Sequence, residues 1–64
     1  MWCIAQTQTN KTNLYFTIEG KWELDPLHIR LFMTEELANK EWARIHEDKS
    51  SGWNRANPLS VMKV

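Results

Sequence analysis

Few side chains in this sequence are of types that do chemistry, and their spacing limits what they could do. Cys3, His28 and His46 are the candidate nucleophile and bases. A reactive thiol needs a base or cation beside it to become thiolate. Cys3 instead sits in the apolar run Trp2-Cys3-Ile4-Ala5, the setting of a small, buried and inert residue. It has no second cysteine to pair with, so no internal disulfide forms. The two histidines are eighteen positions apart, and no short pair such as H-x-x-x-H presents two metal ligands from one helix. Glu35 and Glu36 are adjacent, which turns them about 100° apart on a helix. They suit a helix N-terminus better than a paired acid–base site. Two glycines are too few for a phosphate-cradling loop. The sequence therefore predicts no catalytic residue, no cofactor and no metal.

The tryptophans are the unusual feature. Trp2, Trp22, Trp42 and Trp53 are four in 64 residues. A core of this size is expected to seat about two of them, Trp42 with either Trp2 or Trp22. Trp53 lies in a polar stretch with Asn54, Arg55 and Asn57, where no periodic pattern demands an indole. Trp and Arg dominate binding energy at many interfaces. An aromatic beside Arg can also stack on a base. The plain structural alternative is that Trp53 folds back over a sheet edge or a helix end.

The element that must position everything else is the stretch 34–48. Thr34 is the expected N-cap, with Glu35 and Glu36 favoured by the helix dipole. Leu37 stands where Glu or Gln would complete a capping box. Leu37, Ala38, Trp42 and Ile45 share one face at helical spacing. Arg44 and Asp48 are spaced for an ion pair. Gly52 frees the chain to turn after the helix.

Around that helix the sequence alternates as strands do. Residues 2–8 read as a first strand, apolar on both faces at its start, and so expected inside a sheet. Residues 9–13 read as a loop and 14–18 as a second strand, with Leu14, Phe16 and Ile18 inward. Gly20 marks a tight turn. Trp22 and Leu24 share a face of the next segment, which Asp25-Pro26 interrupts. Residues 22–32 are expected as an edge segment, as one bulged strand or two pieces, because an edge tolerates proline. Residues 59–64 read as the last strand. The order β-β-β-α-β predicts a single α+β domain over 1–64. Its sheet is antiparallel, of three to four strands, with one helix on a face.

The run Leu31-Phe32-Met33-Thr34-Glu35-Glu36-Leu37-Ala38, with Trp2-Cys3-Ile4 ahead and Val61-Met62-Lys63-Val64 behind, resembles a layout found in small bacteriophage and mobile-element accessory proteins. Several of those bind a host protein and block it. The resemblance follows the pattern of the whole chain and is close over about eight residues of a strand-to-helix junction. It implies a small α+β fold and a host-protein partner, and it carries over no functional residue.

Net charge is zero, which argues against a strongly basic nucleic-acid binder and against an acidic DNA mimic. Residues 23–48 hold seven acids and three bases, whereas 49–64 hold Lys49, Arg55 and Lys63 with no acid. No apolar run is long enough to span a bilayer and no leader is recognisable, so a cytoplasmic protein is expected, in the host cytoplasm if phage-encoded. The function expected is a non-enzymatic protein-binding module that binds and inhibits or modulates a host protein. Trp53, Arg55, Glu41, Arg44 and Asp25 are the candidate contact residues. An open sheet edge near Asp25-Pro26 would also permit a homodimer. The alternative is a nucleic-acid-binding regulator using the basic C-terminal segment with Trp53.

Overall fold

A computed structural model describes residues 1–64. Strand β1 (Trp2–Thr7) is central, β2 (Asn13–Phe16) and the two-residue β3 (Trp22–Glu23) lie to one side, and β4 (Leu59–Lys63) lies to the other. The sheet order is β3-β2-β1-β4 and every pairing is antiparallel. The single α-helix, α1 (Glu35–Glu47), packs against β1 and β4. The expected α+β architecture, with a four-stranded antiparallel sheet and one helix, is what forms. No helix is long and apolar enough to cross a membrane.

Thr34 caps α1 as its sequence requires: its hydroxyl accepts from the Leu37 N–H at 3.2 Å, and its backbone is extended. The helix stops at Glu47 because Asp48 leaves helical geometry. The Asp48 carboxylate accepts from the Ser50 N–H at 2.9 Å and the Ser50 hydroxyl at 2.7 Å, which turns the chain away. Ala38 and Ile45 are buried beneath the helix with Ile4, Phe16 and Phe32. Leu37, expected on that buried face, lies in the first turn and is 47% exposed.

The stretch 22–32 forms two pieces, the second of the two alternatives read from the sequence, with β3 at the sheet edge and the interruption at Pro26. After β3 it makes a 3-10 turn at Pro26–His28, capped by the Asp25 carboxylate accepting from the Leu27 N–H at 3.0 Å. It then hooks back into the sheet. Ile29 bridges Thr17, the residue just past the end of β2, and Phe32 bridges Trp2 of β1. Arg30 N–H donates to the Phe16 C=O at 2.9 Å, while Phe32 and Trp2 exchange two bonds of 2.8 Å. The hook thus fills the gap where β1 and β2 diverge and satisfies backbone groups that would otherwise be orphaned.

Ile18, expected inward, is 67% exposed, since the chain turns at Gly20 (φ +77°) before a longer strand can form. Leu24 is likewise exposed, because β3 ends at Glu23.

Candidate interaction surface

The four tryptophans all flank the core, and none is sealed inside it. Three of them fasten the connection between α1 and β4. Trp22 Nε1 donates to the Ser51 C=O at 2.8 Å, Trp42 Nε1 to the Leu59 C=O at 2.9 Å, and Trp53 Nε1 to the Asn57 C=O at 2.9 Å. Gly52 lies against the Trp22 ring at φ +83°, where a Cβ would come within 3.0 Å of Trp22 Cδ1. From below, the buried Gln6 side chain holds the same connection. Its Oε1 accepts from the Asn57 amide at 2.9 Å and the Asn54 N–H at 3.1 Å. The expectation that about two indoles would fit is corrected: all four pack at the margin of the core, because each needs burial for its ring and a carbonyl or solvent for its N–H.

His46 completes an aromatic cluster over this connection. Its ring centroid is 4.9 Å from Trp42 and 4.9 Å from Trp53, and the Arg55 guanidinium stands 5.0 Å from the Trp53 ring. Trp53 and Arg55 are therefore brought together. Glu41 and Arg44 also meet, through bonds of 3.0 and 2.7 Å. Arg30 reaches the same carboxylate at 3.5 Å, and Arg44 extends to Asp48 at 3.3 Å. Hydrogen bonding from Arg44, helped by both guanidinium charges, holds the Glu41 carboxyl below the usual glutamate range. Asp25 stands apart from these groups, in the turn between β3 and the hook.

Cys3 faces away from α1, on the other side of the sheet from His46. Burial pushes its thiol up from the ordinary value, the opposite of activation. No enclosed cavity is present, and no three metal-ligating side chains come together.

The sheet edges differ in length. The edge near Asp25-Pro26 is only the two residues of β3. On the other side β4 pairs only with β1. The bonds Thr7 N–H to Pro58 C=O and Val64 N–H to Met1 C=O set the phase of that ladder. By alternation, Leu59, Val61 and Lys63 turn their backbone groups outward. Trp42 already occupies the Leu59 carbonyl, so the longer edge is closed at one end.

No second helix covers the sheet face opposite α1. Paired residues share a face, and the register arranges this one in rows. Tyr15, Ala5 and Ser60 form one row. Leu31, Cys3 and Met62 form the next, and Met33, Met1 and Val64 the last. Ala5 and Cys3 are small and buried between larger neighbours. Met33 is 77% exposed, Val64 68%, Met1 54% and Leu31 45%. Charge on this face comes from Glu23 beside Tyr15, Lys21 in the turn and the α-ammonium of Met1 in the last row.

No family model, curated protein or solved structure matches the chain. Of the residues on the open sheet face only Cys3 was singled out from the sequence, and then as a possible nucleophile and not as a contact residue. A signal was present: β1 begins apolar on both faces, and one helix covers one face.

Proposed function

We propose that this protein is a non-enzymatic protein-binding module whose contact surface is the sheet face opposite α1. The observation that supports it is the group of exposed apolar side chains Met33, Val64, Met1 and Leu31 gathered at one end of that face. Contiguous apolar surface of this kind marks protein–protein contact sites more often than it occurs by chance on a monomer. Its few cations are unfavourable for a nucleic-acid backbone, which is bound through Lys and Arg. The indoles and Arg55 that could have stacked on bases have intramolecular partners. In the accessory-factor form of this proposal, the module covers part of a host protein and modulates it.

The test is affinity capture from lysate of the source cell, with the wild-type chain and a Met33→Lys variant as baits. A protein retained in stoichiometric amount by the wild type and lost with the variant supports the proposal. Equal recovery by both baits, or recovery that a Trp53→Ala variant abolishes instead, overturns the choice of surface.

A further inference from the structure

We infer that the outer edge of β4 docks an extended segment of the partner protein, which joins the sheet as an antiparallel fifth strand and reads acid–x–apolar–x–apolar from its N-terminal end. The inference rests on the protein-binding proposal above and adds how the partner is held.

Three observations lead to it. The first is the backbone. β4 is an outer strand bonded only to β1, and its pairings, from Leu59 with Gln6 to Lys63 with Trp2, run without a bulge. The bonds at Pro58 and Val64 put the other inward bonds at Ser60 and Met62, so Leu59, Val61 and Lys63 direct their N–H groups outward. These three donors, and the carbonyls of Val61 and Lys63, have no partner within the chain. Only the Leu59 carbonyl is taken, by the Trp42 indole. Such a row fits an extended backbone, which presents the same groups at the same repeat. Proline, bulges and charges usually blunt a free edge, and β4 has none of them before Lys63.

The second is the side chains along the edge. Leu59, Val61 and Lys63 pair with Gln6, Ile4 and Trp2, and Ile4 belongs to the core beneath α1. The three therefore project on the helix side. Leu59 and Val61 are half-buried against that core and leave apolar surface at the edge. Lys63 is exposed, with no acid in ion-pair range. Facing strands favour apolar against apolar and acid against base. An antiparallel segment meets Lys63 first, then Val61, then Leu59, which sets the order of its side chains.

The third is continuity. The two intervening side chains of the segment lie beside Met62 and Ser60 on the opposite face. Met62 shares a row with Leu31, next to the exposed Met33, Met1 and Val64. A strand on β4 thus extends the proposed contact surface, and one partner covers both.

The probe is a blocked seven-residue peptide of threonine, with glutamate at its second position and valine at its fourth and sixth, added to the labelled full chain and followed by NMR. The amide signals of Leu59, Val61 and Lys63 should move more than those of Ser60 and Met62, because only outward N–H groups gain an acceptor. A peptide with lysine in place of the glutamate should bind at least about threefold more weakly, and Lys63→Gln should remove that preference. Lys63→Pro deletes an N–H that bonds nothing inside the chain, so it should keep the wild-type circular dichroism and weaken binding by at least about tenfold. No shift at about 1 mM peptide, equal shifts along β4, or full binding by a folded Lys63→Pro variant overturns the inference. So does a purified chain with the mass of two chains that returns to one with Lys63→Pro, since the edge then belongs to a second copy. If the edge fails while capture still depends on Met33, protein binding through the face stands. If that capture is absent too, both fail.

Discussion

The amide of Asn57 donates to the side-chain oxygen of Gln6 across 2.9 Å, between residues 51 positions apart in the chain and both buried. Gln6 projects from the middle of the sheet into the helix side, where an apolar residue would be expected. It serves there as a polar anchor. Its oxygen also accepts the Asn54 N–H, and its nitrogen reaches the Gly52 carbonyl at 3.5 Å. The connection from α1 to β4 is therefore shaped by one glutamine below and three indoles around it.

Replacing Gln6 with Leu removes the acceptor and strands the Asn57 amide and the Asn54 N–H. An unsatisfied buried donor costs about 1–3 kcal/mol. A domain of this size has only about 3–5 kcal/mol of stability. The Gln6→Leu variant should lose most of its stability, read as a large fall in the urea midpoint. A midpoint unchanged from wild type would show that water satisfies both donors.

Trp42→Phe keeps an aromatic ring beside His46 but removes the bond to Leu59, and should cost about 1 kcal/mol. Trp42→Ala also removes ring packing and should cost about 3 kcal/mol, enough to abolish cooperative unfolding. Denaturant titrations of the two variants separate the hydrogen bond from the ring.

The two positive-φ glycines should respond unequally to alanine. Gly20 has open space where a Cβ would go, so Gly20→Ala should cost only the left-handed backbone strain of about 1–2 kcal/mol. Gly52→Ala adds a clash with the Trp22 ring to the same strain. It should be the more destabilising of the two, and should alter tryptophan fluorescence where Gly20→Ala does not.

Stability should fall in acid through Glu41. Its folded-state pKa is lowered by the Arg44 hydrogen bonds, so its contribution is present above the unfolded carboxyl pKa and is lost as pH falls through the folded value. Glu41→Gln should flatten the acid side of a stability–pH curve below the usual glutamate range. The curve near neutral pH should keep its shape, and added salt should reduce the difference between the two proteins.

Local physics made much of the fold legible in the sequence. Thr34, Glu35 and Glu36 announced the start of α1, and the spacing of Ala38, Trp42 and Ile45 gave its buried side. The apolar start of β1 placed it inside the sheet. Each of these depends on residues within a turn or a strand of one another. The hook at 29–32, the role of Gln6 and the carbonyl each indole finds were decided by tertiary structure. Trp22 meets Ser51 across 29 positions and Gln6 meets Asn57 across 51, and no short-range period encodes such a meeting. The uncovered face lay between these cases. The sequence determined that β1 has two apolar sides and that one helix is available to cover them. Only the pairing of Met1 with Val64 and of Trp2 with Phe32 gathered the exposed residues of the second side, because strand register is set by the closed sheet and not by any strand alone.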